Sequence, residues 1–277
     1  NNVPHMETAA QAESWRPVVE RVQAAGGKIY SQLWHCGRIS HSDYTGGVPP
    51  VSSTNQAAEG HNRQNDKPFG SPRALEVREM ATIYAMYCQA AKNALAVGVD
   101  GIQLHLGHGY LADQFFDARV NDREDAYGGS VEGRCRFALE ALEEVLSVVG
   151  PERVMVRMSP SRDMGGIYDW PELEEMLAYV VPAFAALGLE MLDISCARAN
   201  YYETSGRIIR MVRPYWPGVL MGGASLSREQ AEHELADGLL DMVTWGRHLL
   251  ANPDMVSRFR AGEELAAFEP SMLSSLV

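Results

Sequence analysis

Short apolar or β-branched runs, bounded by glycine and polar residues, alternate along this chain with longer stretches whose apolar positions recur at helical spacing. The runs at 28–33, 101–105, 153–158, 191–195, 219–222 and 242–245 predict six strands. The patterns at 14–25, 74–97, 131–149, 171–187, 206–213, 227–236 and 253–261 predict helices between and around them. Regular strand–helix alternation of this kind argues for βα units, with a parallel sheet inside and helices outside. Gly26, Gly98 and Gly262 fall just past predicted helix ends, while Ser130 and Ser227 stand where a helix start needs a side-chain cap. Met80, Met86 and Met176 sit within helical patterns and read as packing. The segment 36–73 is rich in Gly, Pro, Ser and Asn, and a loop of that length in a compact domain is usually functional, so it is expected to cover the active face.

In parallel α/β folds ligands bind at the carboxyl ends of the strands, so the residues just after each strand should carry the chemistry. Those ends read Gln32-Leu33-Trp34-His35, His105-Leu106-Gly107-His108, Arg157-Met158-Ser159-Pro160, Asp193-Ile194-Ser195, Gly222-Gly223-Ala224 and Gly246-Arg247. Polar, basic and glycine-rich groups fall where the rule requires them.

Composition narrows the function. The 277 residues suffice for one large barrel domain spanning 1–277, and the formal charge of −12 sits poorly with binding a phosphate backbone, which needs clustered Lys and Arg. No apolar run is long enough for a membrane span and no signal segment is visible, which gives the expectation of a cytoplasmic protein. Cys36, Cys88, Cys135 and Cys196 lack C-x-x-C spacing and read as reduced, structurally incidental thiols.

His105, His108 and Tyr110 converge at one strand end, where three groups able to grip and protonate a carbonyl compound would stand together. Two imidazoles can donate hydrogen bonds to a carbonyl oxygen and stabilise an enolate, and a phenol of pKa ~10 stays protonated and able to donate at neutral pH. The plainer alternatives are loop histidines satisfied by backbone groups and a tyrosine packed under the long loop. A metal site built on His35, His105 and His108 is a weaker reading, because no carboxylate accompanies them at ligand spacing.

The segments Gln-Leu-Trp-His-Cys-Gly-Arg at 32–38, His-Leu-Gly-His-Gly-Tyr-Leu-Ala-Asp-Gln-Phe from His105, and Arg-Glu-Asp-Ala-Tyr-Gly-Gly-Ser at 123–130 carry a resemblance to the Old Yellow Enzyme family. Gly-Gly-Ala at 222–224 and Gly-Arg-His-Leu-Leu-Ala-Asn-Pro at 246–253 extend it. The resemblance implies a (β/α)8 TIM-type barrel and an FMN that passes hydride from NAD(P)H to the activated C=C bond of an α,β-unsaturated carbonyl compound. It implies that His105 and His108 bind the substrate oxygen, that Tyr110 delivers the proton, and that Trp34 walls the substrate pocket. Gln32 then meets the imide edge of the flavin ring and Arg157 the charge near N1, the plainer reading of Arg157 being an ion pair with Asp193. Gly223, Ala224, Gly246 and Arg247 would form the phosphate site, helped by the adjacent helix start, although turns need glycines in any case.

Against the family pattern this sequence is expected to hold about six of the eight βα units, since nothing before Trp15 resembles the first two strands. Six strands leave two unpaired sheet edges. A second expectation therefore stands beside the first: a flavin-free, inactive or scaffolding relative. Partners are expected to be small enone-type molecules, not nucleic acid or membrane, and homo-oligomers are compatible with the sequence.

Overall fold

The computed structural model describes residues 4–196, 200–223 and 225–273. Six parallel strands form one sheet in sequence order: β1 (Tyr30–Leu33), β2 (Gly101–His105), β3 (Val154–Met158), β4 (Met191–Ile194), β5 (Val219–Gly223) and β6 (Met242–Thr244). Helix α1 (Arg16–Ala24) precedes them. The crossovers are α2 (Met80–Ala96), α3 (Val131–Val149), α4 (Leu173–Ala186), α5 (Ser205–Val212) and α6 (Arg228–Ala236). Every predicted strand is found, and the helix ends carry the expected signals: Gly26, Gly98 and Gly262 have positive φ, and the Ser130 and Ser227 hydroxyls accept from backbone amides three residues on.

Alternation along the strands separates two faces. Ile102, Leu104, Val154, Val156, Met158, Leu192 and Ile194 are fully buried beneath the helices, packed in one core with Phe137, Leu142, Val180 and Phe184. Tyr30, Gln32, Gln103, His105, Met155, Arg157, Met191 and Asp193 occupy the alternate, inner positions. The sheet curls strongly, so that the Tyr30 hydroxyl on β1 comes 4.0 Å from the Met191 sulfur on β4. Gly101 makes room for that crossing, because a Cβ there would meet the Tyr30 ring at 2.4 Å and the Arg153 carbonyl at 2.5 Å. This is an incomplete barrel: among the described residues β1 and β6 each pair on one side only.

Some elements depart from the sequence pattern. The long segment contains the short strand pairs Val51–Ser52 with Arg73–Ala74 and His61–Asn62 with Lys67–Pro68. The predicted helix at 74–97 begins only at Met80, because the Glu76 and Glu79 carboxylates first cap a tight turn at Val77–Glu79. The helix Leu111–Phe116 and a hairpin of Ser161–Asp163 with Ile167–Asp169 were not anticipated; both are too short for periodicity to reveal them. No helix among the described residues is long and apolar enough to cross a membrane.

Phe137 stacks parallel on Phe115 at 4.3 Å and contacts Tyr84, joining α3 to α2 and to the Leu111–Phe116 helix. Phe137→Ala should cost about 3–5 kcal/mol in urea unfolding, whereas a loss below about 1 kcal/mol would show that the neighbours collapse into the space.

Candidate active site

β2 ends at His105, which is 4% exposed and points to the inner face. The chain then makes a tight turn in which His108 (φ 57°) and Gly109 (φ 79°) both take left-handed conformations. For a side chain other than glycine this costs on the order of 1–3 kcal/mol, so the surroundings must impose it. Here the Ser159 hydroxyl accepts from the His108 amide, the Asp113 carboxylate accepts from the Gly109 amide, and Gln114 Nε2 donates to the Gly109 carbonyl at 2.7 Å. Gln114 also accepts from the Arg38 amide and the Ser52 hydroxyl, fastening the long segment to this turn.

The turn gathers the side chains that the sequence singled out. His108 Nδ1 faces His105 Nε2 at 3.3 Å, and His108 Nε2 faces the Ser195 hydroxyl at 3.4 Å. The Tyr110 ring lies 5.5 Å from that of His105 and 4.4 Å from that of Trp34, edge to face in both cases. Burial holds both imidazoles at a pKa of about 3, aided by the Arg157 charge and, for His108, by His105 and Arg162 as well, so they are neutral near pH 7. One proton at most lies between the two facing nitrogens, so in this arrangement the rings hydrogen-bond each other and do not both point at a common acceptor. Burial pushes the Tyr110 phenol above its ordinary value and keeps its proton in place.

A polar relay crosses the inner face beside the turn. Gln32 Nε2 donates to Gln103 Oε1 at 2.6 Å, Gln103 Nε2 donates to Asp193 Oδ2 at 3.1 Å, and Arg157 Nη1 lies 3.2 Å from the same oxygen. Arg157 is thus paired with Asp193, as the plainer reading had it, yet 30% of its side chain stays exposed toward a cavity of about 690 Å3. Asp193 is 1% exposed and its Oδ1 has no hydrogen-bond partner. Burial raises its pKa, opposed by Arg157 and Gln103.

From Arg157 and Ser195 the cavity runs to Gly223, Gly246 and Arg247. The two glycines differ in kind. A Cβ at Gly223 would meet the Thr244 carbonyl at 2.0 Å, so the close approach of β6 already requires glycine there, whereas a Cβ at Gly246 would meet nothing within 4 Å. The helix after Gly246, Arg247–Ala251, is only five residues long, so open backbone and the exposed Arg247 charge, not a helix dipole, are what this end offers an anion. Ala224 lies outside the described residues. Sequence reasoning placed Ser159 and Ser195 at strand ends without giving them a role and missed Gln103 and Asp113; alternation along β2 places Gln103 inward, whereas Asp113 acts through a turn that leaves no periodic signal.

The NADH:flavin oxidoreductase / NADH oxidase family model matches residues 1–266. The chain belongs to this family, that of the Old Yellow Enzymes. It is 37% identical over 281 residues to 12-oxophytodienoate reductase 7 of Oryza sativa subsp. japonica, covering 94% of this chain and 71% of the relative. Among solved structures it resembles the Old Yellow Enzyme homologue of Zymomonas mobilis at 30% identity and TM-score 0.88, covering 98% of this chain and 80% of the other. Morphinone reductase superposes at 35% identity and TM-score 0.86, over 96% of this chain and 74% of the other. Old Yellow Enzymes are oxidoreductases that use FMN with NAD(P)H as reductant. The residues present fit such a group: one cavity is lined both by the part-exposed Arg157 and by the open Gly246 beside Arg247.

Burial of neutral histidines makes stability depend on pH. The unfolded chain takes up protons on His35, His105 and His108 below about pH 6.5, whereas the folded values are about 4, 3 and 3, so the unfolded state binds more protons and stability falls as pH drops through that window. His105→Gln should flatten the decline of the urea midpoint between about pH 6.5 and 4.5. An unchanged slope would mean that His105 is not held neutral by the fold.

Proposed function

We propose that this chain is an FMN-dependent reductase of activated alkenes, working on α,β-unsaturated carbonyl compounds at the β2 turn. The observation that carries this reading is the convergence of His105, His108, Tyr110 and Trp34 within one small volume, next to a cavity entered by Arg157. Gln32 and Arg157 would hold the ring of FMN, and Gly223, Ala224, Gly246 and Arg247 its phosphate. Bound there, FMN would supply the redox chemistry, hydride transfer from NAD(P)H to the alkene β-carbon.

The chain's own residues account for the remainder. A neutral imidazole of the His105–His108 pair turns an N–H from its neighbour to the substrate carbonyl oxygen, drawing electron density from the alkene and stabilising the enolate that forms. Neutrality matters, since an imidazole is then both a donor and an acceptor and the pair can share one proton. The Tyr110 hydroxyl, kept protonated by burial, delivers a proton to the α-carbon. Trp34 packs against Tyr110 and fixes its ring beside the bound alkene. Residues 36–73, fastened to the turn through Gln114, fold over the same strand ends and limit access by water.

Adding FMN to the purified protein should give a yellow complex, and Arg247→Ala should weaken FMN binding about tenfold. A colourless protein despite excess FMN would favour the flavin-free reading. Tyr110→Phe should slow reoxidation by cyclohex-2-enone about 10²–10⁴-fold while leaving reduction by NADPH nearly unchanged. Equal slowing of both half-reactions would refute the proton-donor role.

A further inference from the structure

We infer that Asp113 is a positioning residue of this site, holding His108 and Tyr110 in place through the Gly109 amide; the inference rests on the reading of the β2 turn given above. Asp113 lies on the Leu111–Phe116 helix and is 1% exposed. Its carboxylate takes three donors. Gly109 N–H and Arg162 Nη1 share Oδ2, and Trp170 Nε1 donates to Oδ1 at 2.6 Å. Each donor comes from a different part of the fold: the β2 turn, the first strand of the hairpin after β3, and the residue just past that hairpin.

The placement gives the carboxylate a purpose beyond pairing with Arg162. Gly109 is the single residue between His108 and Tyr110, and its amide would otherwise point into the protein with no backbone acceptor. His108 cannot relax out of its left-handed conformation while the amides of residues 108 and 109 are both held, one by Ser159 and the other by Asp113. Ser159 and Arg162 both follow β3, the strand that carries Arg157. Asp113 therefore joins the substrate-facing turn of β2 to the end of β3 and fixes His108 and Tyr110 relative to Arg157. Arg162 and Trp170 are 7% and 2% exposed, and the Arg162 guanidinium lies 4.8 Å over the Tyr168 ring, so the anchor side of this joint is rigid.

The test combines hydrogen exchange with kinetics on the full chain. In the unaltered protein the Gly109 amide should exchange at least about a hundredfold more slowly than that of the exposed turn residue Gly60, and equal rates would overturn the inference. Asp113→Asn keeps the shape but loses the charge that draws all three donors together. It should speed Gly109 exchange and lower kcat for cyclohex-2-enone about tenfold, at unchanged FMN content and circular dichroism. Activity and Gly109 exchange both unchanged in that variant would overturn the inference, as would activity lost only in proportion to folded, flavin-bearing protein. Should Asp113→Ala fail to fold, the asparagine variant and the exchange rate in the unaltered protein still decide. If Tyr110→Phe and His105→Ala both leave enone reduction intact, the reading of the site fails, whereas normal Asp113→Asn kinetics beside impaired Tyr110→Phe would sink the positioning role alone.

Discussion

Parallel strands with a period of two residues impose the constraint on which everything else in this molecule rests. Each strand must offer apolar residues to the surrounding helices at every second position, and the positions between are then delivered to the concave side whatever their chemistry. Positions 102, 104, 154, 156, 158, 192 and 194 meet the first demand with fully buried apolar side chains. Positions 32, 103, 105, 157 and 193 are freed by it, and they carry two amides, an imidazole, a guanidinium and a carboxylate. The cost of a polar interior of this kind is offset by pairing across the concave face, as Gln32, Gln103, Asp193 and Arg157 do, although Asp193 Oδ1 is left without a partner.

Much of the architecture was legible in the sequence because it depends on patterns that recur. All six strands and the crossover helices follow from apolar periodicity, and helix ends such as Gly98 and Ser130 follow from local backbone and capping chemistry. The motif at 123–130, so useful as a mark of kinship, proves to shape the fold: Ser130 caps α3, Gly128 lets the backbone of Arg123 approach, and the Tyr127 hydroxyl donates to Glu140, which also receives Tyr84 of α2. Motif strength and nearness to the chemistry are separate properties.

The site was legible in its residue types but less so in its arrangement. Strand-end position alone brings His105, His108, Tyr110 and Trp34 to one place. What it does not disclose is that the two imidazoles face each other, that Arg157 is already paired, or that Gly223 is required by the approach of Thr244. Those are outcomes of turn geometry and of contacts between different strands, Arg157 with Asp193 and Gly223 with Thr244, which no local pattern encodes. Asp113 and Ser159 belong to the same class: each is an ordinary buried polar residue until the left-handed backbone it restrains is seen.

That left-handed backbone at His108 also limits how the family of such sequences can drift. Few side chains tolerate the conformation, and asparagine is among the best suited. Asparagine also presents an N–H donor at the end of a short arm, so one replacement relieves torsional strain and retains a group able to bind a carbonyl oxygen. Valine, isoleucine and threonine would be penalised by the backbone before their chemistry was ever consulted, so conformation filters position 108 ahead of reactivity.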